Sequence, residues 1–355
     1  MKRQTVQADF FLGALGPEGF RGYFEQLENE PDMQMYLIKS GPGCGKSTMM
    51  RHVAEAAGPN VQRIHCSSDP DSLDGVILGD AGAAVVDATP PHALEPACPG
   101  AVERVVSLYH TMDLGRLSAS RGQILRLSLR CKGLQNRAAS YIAAAARLLR
   151  DSRETAAWST DAAKARAFAV RLALRWLPRG EGQGHEEIRL LSAVTPKGVL
   201  TFYGTVPALA DRIVVFHDEY GYASGIVLAE LRRLALARGC RVITCPCPLG
   251  DGGPEHLFLP ELGLAFLTSN RWHPMGFEGQ KNIHCSRFED KDRLRCRKKR
   301  LRFDRRAAAE LLAQASAMQR EAKASHDELE ALYGAAIDFA AVDKETAALL
   351  AQLGL

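Results

Sequence analysis

Apolar positions along the chain gather into short runs, and the runs come twice in the same order. Residues 35–38 and 83–86 are apolar stretches of strand length with a second strand over 61–66 between them, and 213–216, 264–267 and 241–245 repeat them later. Between them the spacing of apolar positions becomes helical, as over 47–57. Strands alternating with helices predict an α/β fold of two tandem doubly wound parallel sheets. Each series then gives way to a long stretch rich in Ala, Leu, Arg and Glu, 117–177 and 302–353, whose length suits a helical hairpin appended to each sheet.

The repetition extends to individual residues. Leu12, Ala14, Pro17 and Gly19 recur as Leu191, Ala193, Pro196 and Gly198, a constant displacement of 179. Ile64-His65-Cys66 is answered by Ile243-Thr244-Cys245 at the same displacement. The run 82–87 followed by His92 is answered by 263–268 followed by His273, displaced by 181. The chain therefore divides into residues 1–178, a charged and glycine-rich linker over 179–187, and a second copy over 188–355.

A hydrophobic fraction of 46% and a charged fraction of 24% exclude a disordered, collagen-like or coiled-coil chain. No uncharged apolar run reaches membrane-spanning length, and residues 1–9 lack a leader-like apolar stretch, so no membrane partner is expected. Nine cysteines, an odd number in a long chain, point to reduced thiols and a cytoplasmic location.

The densest chemical signal is Ser40-Gly41-Pro42-Gly43-Cys44-Gly45-Lys46-Ser47-Thr48, between the run at 35–38 and the helix at 47–57. Glycines let a loop wrap phosphate oxygens with its amides, and the following helix adds the positive end of its dipole. Residues Gly41 to Thr48 are the candidate nucleotide-binding set, with Lys46 reaching the β and γ phosphates and Ser47 holding Mg2+. Ser40 stands where the usual pattern begins with glycine. Asp87 closes the run at 83–86, where its carboxylate is placed to bind the same magnesium ion. Ala88 follows it, where many hydrolases carry a glutamate that orients water. Asp69, Asp71 and Asp74, on a loop after the second strand, are the candidates to replace that base; capping of local turns is the competing role. His65 and His92 flank the same edge and are weighed as phosphate contacts against ordinary packing.

Through these residues, 35–92 resembles a P-loop NTPase core with Walker A and Walker B elements. More narrowly, the whole chain is similar to uncharacterised bacterial two-repeat ATPase-like proteins with a degenerate second P-loop, through 65–75, 87–92 and 195–198. The resemblance implies a fold and nucleotide binding and names no substrate.

The second copy has Phe216-His217-Asp218-Glu219-Tyr220-Gly221 where the first has its glycine loop, and Thr268 where the first has Asp87. It lacks the lysine, and Asp218 and Glu219 would repel a triphosphate. One nucleotide per chain is expected. Cys245, Cys247, His256, His273, His284 and Cys285 offer zinc-type donors, but Cys-x-Cys is shorter than the usual spacing and buried free thiols are commoner. Ten of the sixteen residues over 291–306 are Lys or Arg, echoed weakly by Arg116, Arg121, Arg126, Arg130, Lys132 and Arg137. This run is either an anion or nucleic-acid contact or a solvated helical face.

Together these readings give an ATP-binding protein, using ATP or another NTP with Mg2+, that couples hydrolysis to conformational change. Its candidate catalytic residues are Lys46, Asp69, Asp71, Asp74 and Asp87. The alternatives are a small-molecule or nucleotide kinase and a nucleotide-gated nucleic-acid-binding module.

Overall fold

The computed structural model describes residues 7–30, 33–79, 81–90, 92–250 and 252–355. Most of the segment on which the leader reading rests, residues 1–6, lies outside this set.

In the first repeat β1 (Ala8–Phe10), a hairpin of β2 (Gly13–Gly16) and β3 (Gly19–Gly22), and β4 (Gln34–Lys39) lead into α1 (Lys46–Ala56). Then come β5 (Val61–His65), β6 (Leu73–Leu78), β7 (Ala83–Asp87) and β8 (Glu103–Ser107), followed by α2 (Leu114–Ala119), α3 (Arg121–Ala157) and α4 (Ala162–Trp176). The second repeat runs β9 (Glu186–Ile188), β10 (Ser192–Thr195), β11 (Gly198–Thr201), α5 (Thr205–Leu209), β12 (Arg212–His217) and α6 (Tyr222–Ala237). It continues with β13 (Val242–Pro246), β14 (Pro254–Leu259), β15 (Leu264–Ser269), β16 (Lys281–His284), α7 (Lys291–Gly334) and α8 (Phe339–Leu353). Strand β9 begins inside the segment read as a linker.

Each repeat builds a six-stranded sheet, in the order β1-β5-β6-β7-β4-β8 and β9-β13-β14-β15-β12-β16. The two orders are the same, strand for strand. The sheets are mixed rather than parallel. β6 pairs antiparallel with both β5 and β7, as β14 does with β13 and β15. Connections this short cannot carry the crossover that parallel neighbours need, so the chain must reverse.

Nor are the sheets wound on both faces by helices. The apolar runs bury alternate residues on opposite sides, as central strands with two covered faces do. Met35, Leu37, Ala84 and Val86 of the first sheet share one core with Ile213, Val215, Ala265 and Leu267 of the second. The intervening residues Tyr36, Ile38, Val85, and Val214, Phe216, Phe266, face helices instead. The result is a four-layer sandwich, helices–sheet–sheet–helices, with Phe10 and Phe258 meeting edge-on at 6.2 Å between the sheets. An approximate two-fold relation passes between Phe11 and Leu190, which exchange backbone hydrogen bonds of 2.9 and 2.8 Å. Nearby, the wholly buried Arg189 guanidinium is held by Glu187 at 3.0 Å and Gln62 at 2.8 Å.

The helical hairpins cross over. α3 and α7 pack antiparallel along their lengths, with Cys131 meeting Ala322 and Ser152 meeting Asp304. Their shorter partners then cover the opposite repeat. α4 packs on α6 of the second sheet, and Val342 and Leu349 of α8 pack with Met49 and Val53 of α1 on the first. The turn between α7 and α8 docks on the first repeat through Asp113 N–H to Ala336 O, 2.7 Å, and Asp338 N–H to Thr111 O, 2.9 Å. The turn between α3 and α4 makes the matching bonds to the second, Asp290 N–H to Ser159 O and Asp161 N–H to Phe288 O, 2.6 and 2.8 Å. Asp161 and Asp338 also cap the short helices by accepting from Lys164 and Ala341 backbone N–H. Among the described residues no helix is long and apolar enough to cross a membrane.

Candidate functional site

Strands β4 and β7 are immediate neighbours in register, Ile38 beside Asp87, so the loop leaving β4 and the carboxylate ending β7 emerge at one sheet edge. The loop turns twice through left-handed glycines, Gly43 at φ +63° and Gly45 at φ +83°, before α1 starts at Lys46. Lys46 Nζ folds back to donate to Gly41 O at 2.6 Å and lies 3.5 Å from Asp87 Oδ2. Asp87 Oδ1 accepts from Thr89 N–H and Oγ1–H at 2.9 and 2.5 Å, leaving Oδ2 toward the lysine. Ser47 Oγ accepts from Leu73 N–H at 3.0 Å. Cys44 is buried beneath the loop with its thiol toward Pro42 O, and Thr48 is exposed.

The far wall of the loop belongs to the other repeat's hairpin. A Cβ on Gly43 would stand 2.6 Å from Glu330 O, and one on Gly41 would stand 2.7 Å from the Tyr333 ring. Gly45 faces Val342 and Phe339 of α8. No local signal in the sequence assigns these four residues to the loop, because the contact spans about 290 positions of chain.

The three aspartates separate. Asp71 is exposed and paired with Lys197 of the second repeat at 2.7 Å. Asp69 accepts from Ser72 Oγ at 2.8 Å and faces Lys323 of α7 at 3.5 Å, the arrangement of a turn-closing residue. Asp74 lies in β6, not in a loop, and is buried. Its Oδ2 is 3.1 Å from Nε2 of the equally buried His92. His92 stands between the rings of Phe20 and Phe24, at centroid distances of 5.0 and 4.8 Å. Burial disfavours the imidazolium, but the charge and hydrogen bond of Asp74, assisted by Asp87, outweigh it and hold the histidine above its usual pKa. The Cys66 thiol, beside Asp74, is pushed up by burial and by that carboxylate. His65 is committed elsewhere: Nε2 to Asp9 and Nδ1 to Pro70 O, both at 2.8 Å.

Strand register corrects the repeat displacement at this edge. Ile64 pairs with Gly75 as Cys245 pairs with His256, so the displacement is 181 and not 179. Cys66, Asp74 and His92 then correspond to Cys247, Glu255 and His273. Glu255 Oε1 is 2.8 Å from His273 Nε2, and Cys247 hydrogen-bonds the same carboxylate. The acid–histidine pair beside a thiol is therefore present twice, a correspondence that the mismatched alignment of 64–66 with 243–245 conceals.

Glu255, His256 and His273 bring ligand-type atoms within 4.8 Å of one another. Thr268 N–H donates to His256 Nδ1 at 3.3 Å, which puts the proton of the neutral ring on Nε2. His273 donates from Nδ1 to Thr268 O at 3.1 Å and pairs through Nε2 with Glu255. With these bonds made, neither imidazole has a lone pair left for a metal, and the cluster reads as a buried ion pair with a neutral neighbour. His284 stacks on His217 instead, and all nine cysteines are free.

The second repeat's loop is two residues shorter between strand and helix. Asp218 fills it: its carboxylate accepts from the backbone N–H groups of Tyr220 (3.2 Å), Gly221 (3.0 Å) and Ser224 (2.8 Å). Glu219 turns outward to Arg305 at 3.1 Å. Thr268 pairs with Phe216 as Asp87 pairs with Ile38. Beside the plugged loop lies a cleft lined by Arg150, Arg153, Glu255, Trp272, His273 and Arg305.

The basic run over 291–306 forms the first four turns of α7. Arg300 pairs with Asp151 and Arg305 with Glu219, while Lys298, Lys299, Arg302, Phe303 and Arg306 are exposed. It sits at the second repeat's end of α7, remote along that helix from the Glu330 and Tyr333 that wall the first loop. Comparison of the chain with protein-family models, with curated proteins and with solved structures gave no match.

Proposed function

We propose that the first repeat binds one Mg-nucleotide, ATP or another NTP, and hydrolyses it, and that the second repeat is a degenerate copy without a nucleotide. The observation that carries this reading is the grouping at one sheet edge of a glycine loop with two left-handed turns, a lysine at the first position of the following helix, and Asp87 3.5 Å from that lysine. The loop amides and the N-terminus of α1 supply donors to phosphate oxygens. Lys46 exchanges Gly41 O for the β and γ phosphates. The Ser47 hydroxyl and the Asp87 carboxylate, both oxygen donors at the mouth of the loop, suit Mg2+, which neutralises charge on the phosphates.

The docked turn between α7 and α8 supports coupling to conformational change. The first loop touches the second repeat's hairpin at Gly41, Gly43 and Gly45, so a ligand that alters the loop bears on α7, which runs on to Arg305 at the second loop. Calorimetric titration with Mg-ATP, followed by phosphate release without an added acceptor, tests this reading. Binding with steady release supports the hydrolase; binding with release only when an acceptor is supplied transfers the assignment to a kinase.

A further inference from the structure

We propose that His92, paired with Asp74, is a catalytic residue of the first repeat, donating a hydrogen bond from Nδ1 to the phosphoryl group in transfer. The inference rests on the nucleotide reading above and names the positive group that Lys46 alone does not supply on the side of β6 and β7.

The second repeat acts as an internal control. Both copies hold a buried histidine against a carboxylate, His92 on the buried Asp74 and His273 on the largely buried Glu255. In the second copy, whose loop Asp218 fills, the histidine uses both nitrogens: Nε2 for Glu255 and Nδ1 for Thr268 O. In the first copy, whose loop lacks such a carboxylate at the strand end, Nε2 lies 3.1 Å from Asp74 Oδ2 and Nδ1 has no hydrogen-bond partner among the described residues. The equivalent carbonyl, that of Asp87, is not taken. A buried donor left without an acceptor costs about 1–3 kcal/mol, and the sister repeat satisfies the donor at this position through Thr268 O while leaving Nε2 of the adjacent His256 without a partner.

The charges facing His92 fit a phosphate contact. Asp74 comes from β6, Asp87 from β7 and Lys46 from α1, and the charges of all three act on the imidazole. The remaining packed faces are the rings of Phe20 and Phe24. With Nε2 fixed on Asp74, Nδ1–H is directed away from that carboxylate. In hydrolysis the bond between the γ phosphorus and its bridging oxygen breaks, a water oxygen bonds to that phosphorus, and the water's protons pass to the phosphate product. His92 keeps its proton throughout and stabilises charge on the equatorial oxygens, the role that a donor placed for the transition state fills. Asp74 is a positioning residue that orients the ring and favours its charged form.

The test uses the full chain with Mg-ATP, comparing His92→Gln, Asp74→Asn and His273→Gln with the parent. His92→Gln is expected to lower kcat by ~100-fold or more while the Kd for ATP stays within about threefold. Asp74→Asn is expected to move the basic limb of the kcat–pH profile to lower pH, because the active form is the cation and Asp74 favours it. His273→Gln keeps kcat within about twofold in the folded fraction. If His92→Gln retains ATP affinity and turns over within about threefold of the parent, this inference is overturned and the nucleotide site stands. If that variant does not fold, the Asp74→Asn profile decides, and a basic limb that stays in place overturns it. A parent that binds no ATP, or binds it without hydrolysis, overturns the reading beneath it as well.

Discussion

The two loops at the ends of β4 and β12 start from one architecture and reach opposite electrostatic solutions. In the first, glycines at 41, 43 and 45 form the turn, Lys46 folds back onto Gly41 O, and one loop amide, Gly43 N–H, donates to the Glu330 carboxylate of α7. In the second, the turn has lost two residues, Tyr222 stands first in the helix, and the Asp218 carboxylate has taken the backbone donors for itself. A helix N-terminus preceded by a tight turn attracts an anion. The strand is followed by Ser40 in the first repeat and by Asp218 in the second, and only the second supplies a carboxylate to its own loop from that position. The second loop commits three backbone donors to its own Asp218, whereas the first commits Gly43 N–H to Glu330 of the distant α7, so the proposed loss of a ligand in the second copy involves its donors as well as the missing lysine.

The largest expected effect comes from Lys46→Ala. It removes the loop's own lysine, so ATP affinity should fall at least ~tenfold and turnover by ~100-fold or more, with an unchanged thermal transition. Titration and phosphate release on the same preparation check it. Asp218→Ala attacks the other side of the comparison. Three backbone donors lose a charged acceptor, and unfolding stability should fall by about 2–4 kcal/mol in denaturant titration. No second nucleotide should bind, because the shortened loop still lacks a lysine. Gain of a second equivalent ATP would break the comparison.

A smaller effect concerns the buried cluster beneath the second loop. Burial opposes the Glu255 charge, but the neighbouring His273 charge and hydrogen bond hold its pKa down at about 2, and His273 is itself raised by Glu255 against burial. His256 is held down at about 3, by burial and then by His273. The depressed Glu255 contributes stability that is present above its unfolded pKa near 4.5 and is lost as pH falls toward 2. His256 adds to the acid loss, since it protonates more readily when unfolded. The raised His273 contributes stability that is present below 6.5 and is lost as pH rises through its folded value. Glu255→Gln should flatten both limbs of the stability–pH curve. The smallest effect is that of Asp71→Asn: the side chain is 72% exposed and bound only to Lys197, so stability should change by less than about 1 kcal/mol and turnover by less than about twofold.

What could be read from the chain followed the range of the interactions. The glycine loop, Lys46 and Asp87 are local patterns, and the duplicated order of apolar runs foretold two sheets of like plan. β6 escaped notice because Asp74 and Gly75 interrupt its apolar run, so the aspartates at 69, 71 and 74 looked like one loop. In the fold only Asp74 belongs to the strand and is buried within it, while Asp69 and Asp71 stay on the loop that precedes it. The mixed sheets followed from that missed strand. The face-to-face packing of the sheets and the exchange of hairpins depend on which apolar face meets which, and periodicity alone does not encode a partner. The four residues that wall the loop, Glu330, Tyr333, Phe339 and Val342, are legible only through the glycines that make room for them.

The two copies of this fold differ at one loop, and calorimetric titration of the full chain with Mg-ATP measures the consequence. One nucleotide per chain is expected, lost in Lys46→Ala and retained in Asp218→Asn. Two equivalent nucleotides per chain, or a single one that survives Lys46→Ala, would contradict that expectation.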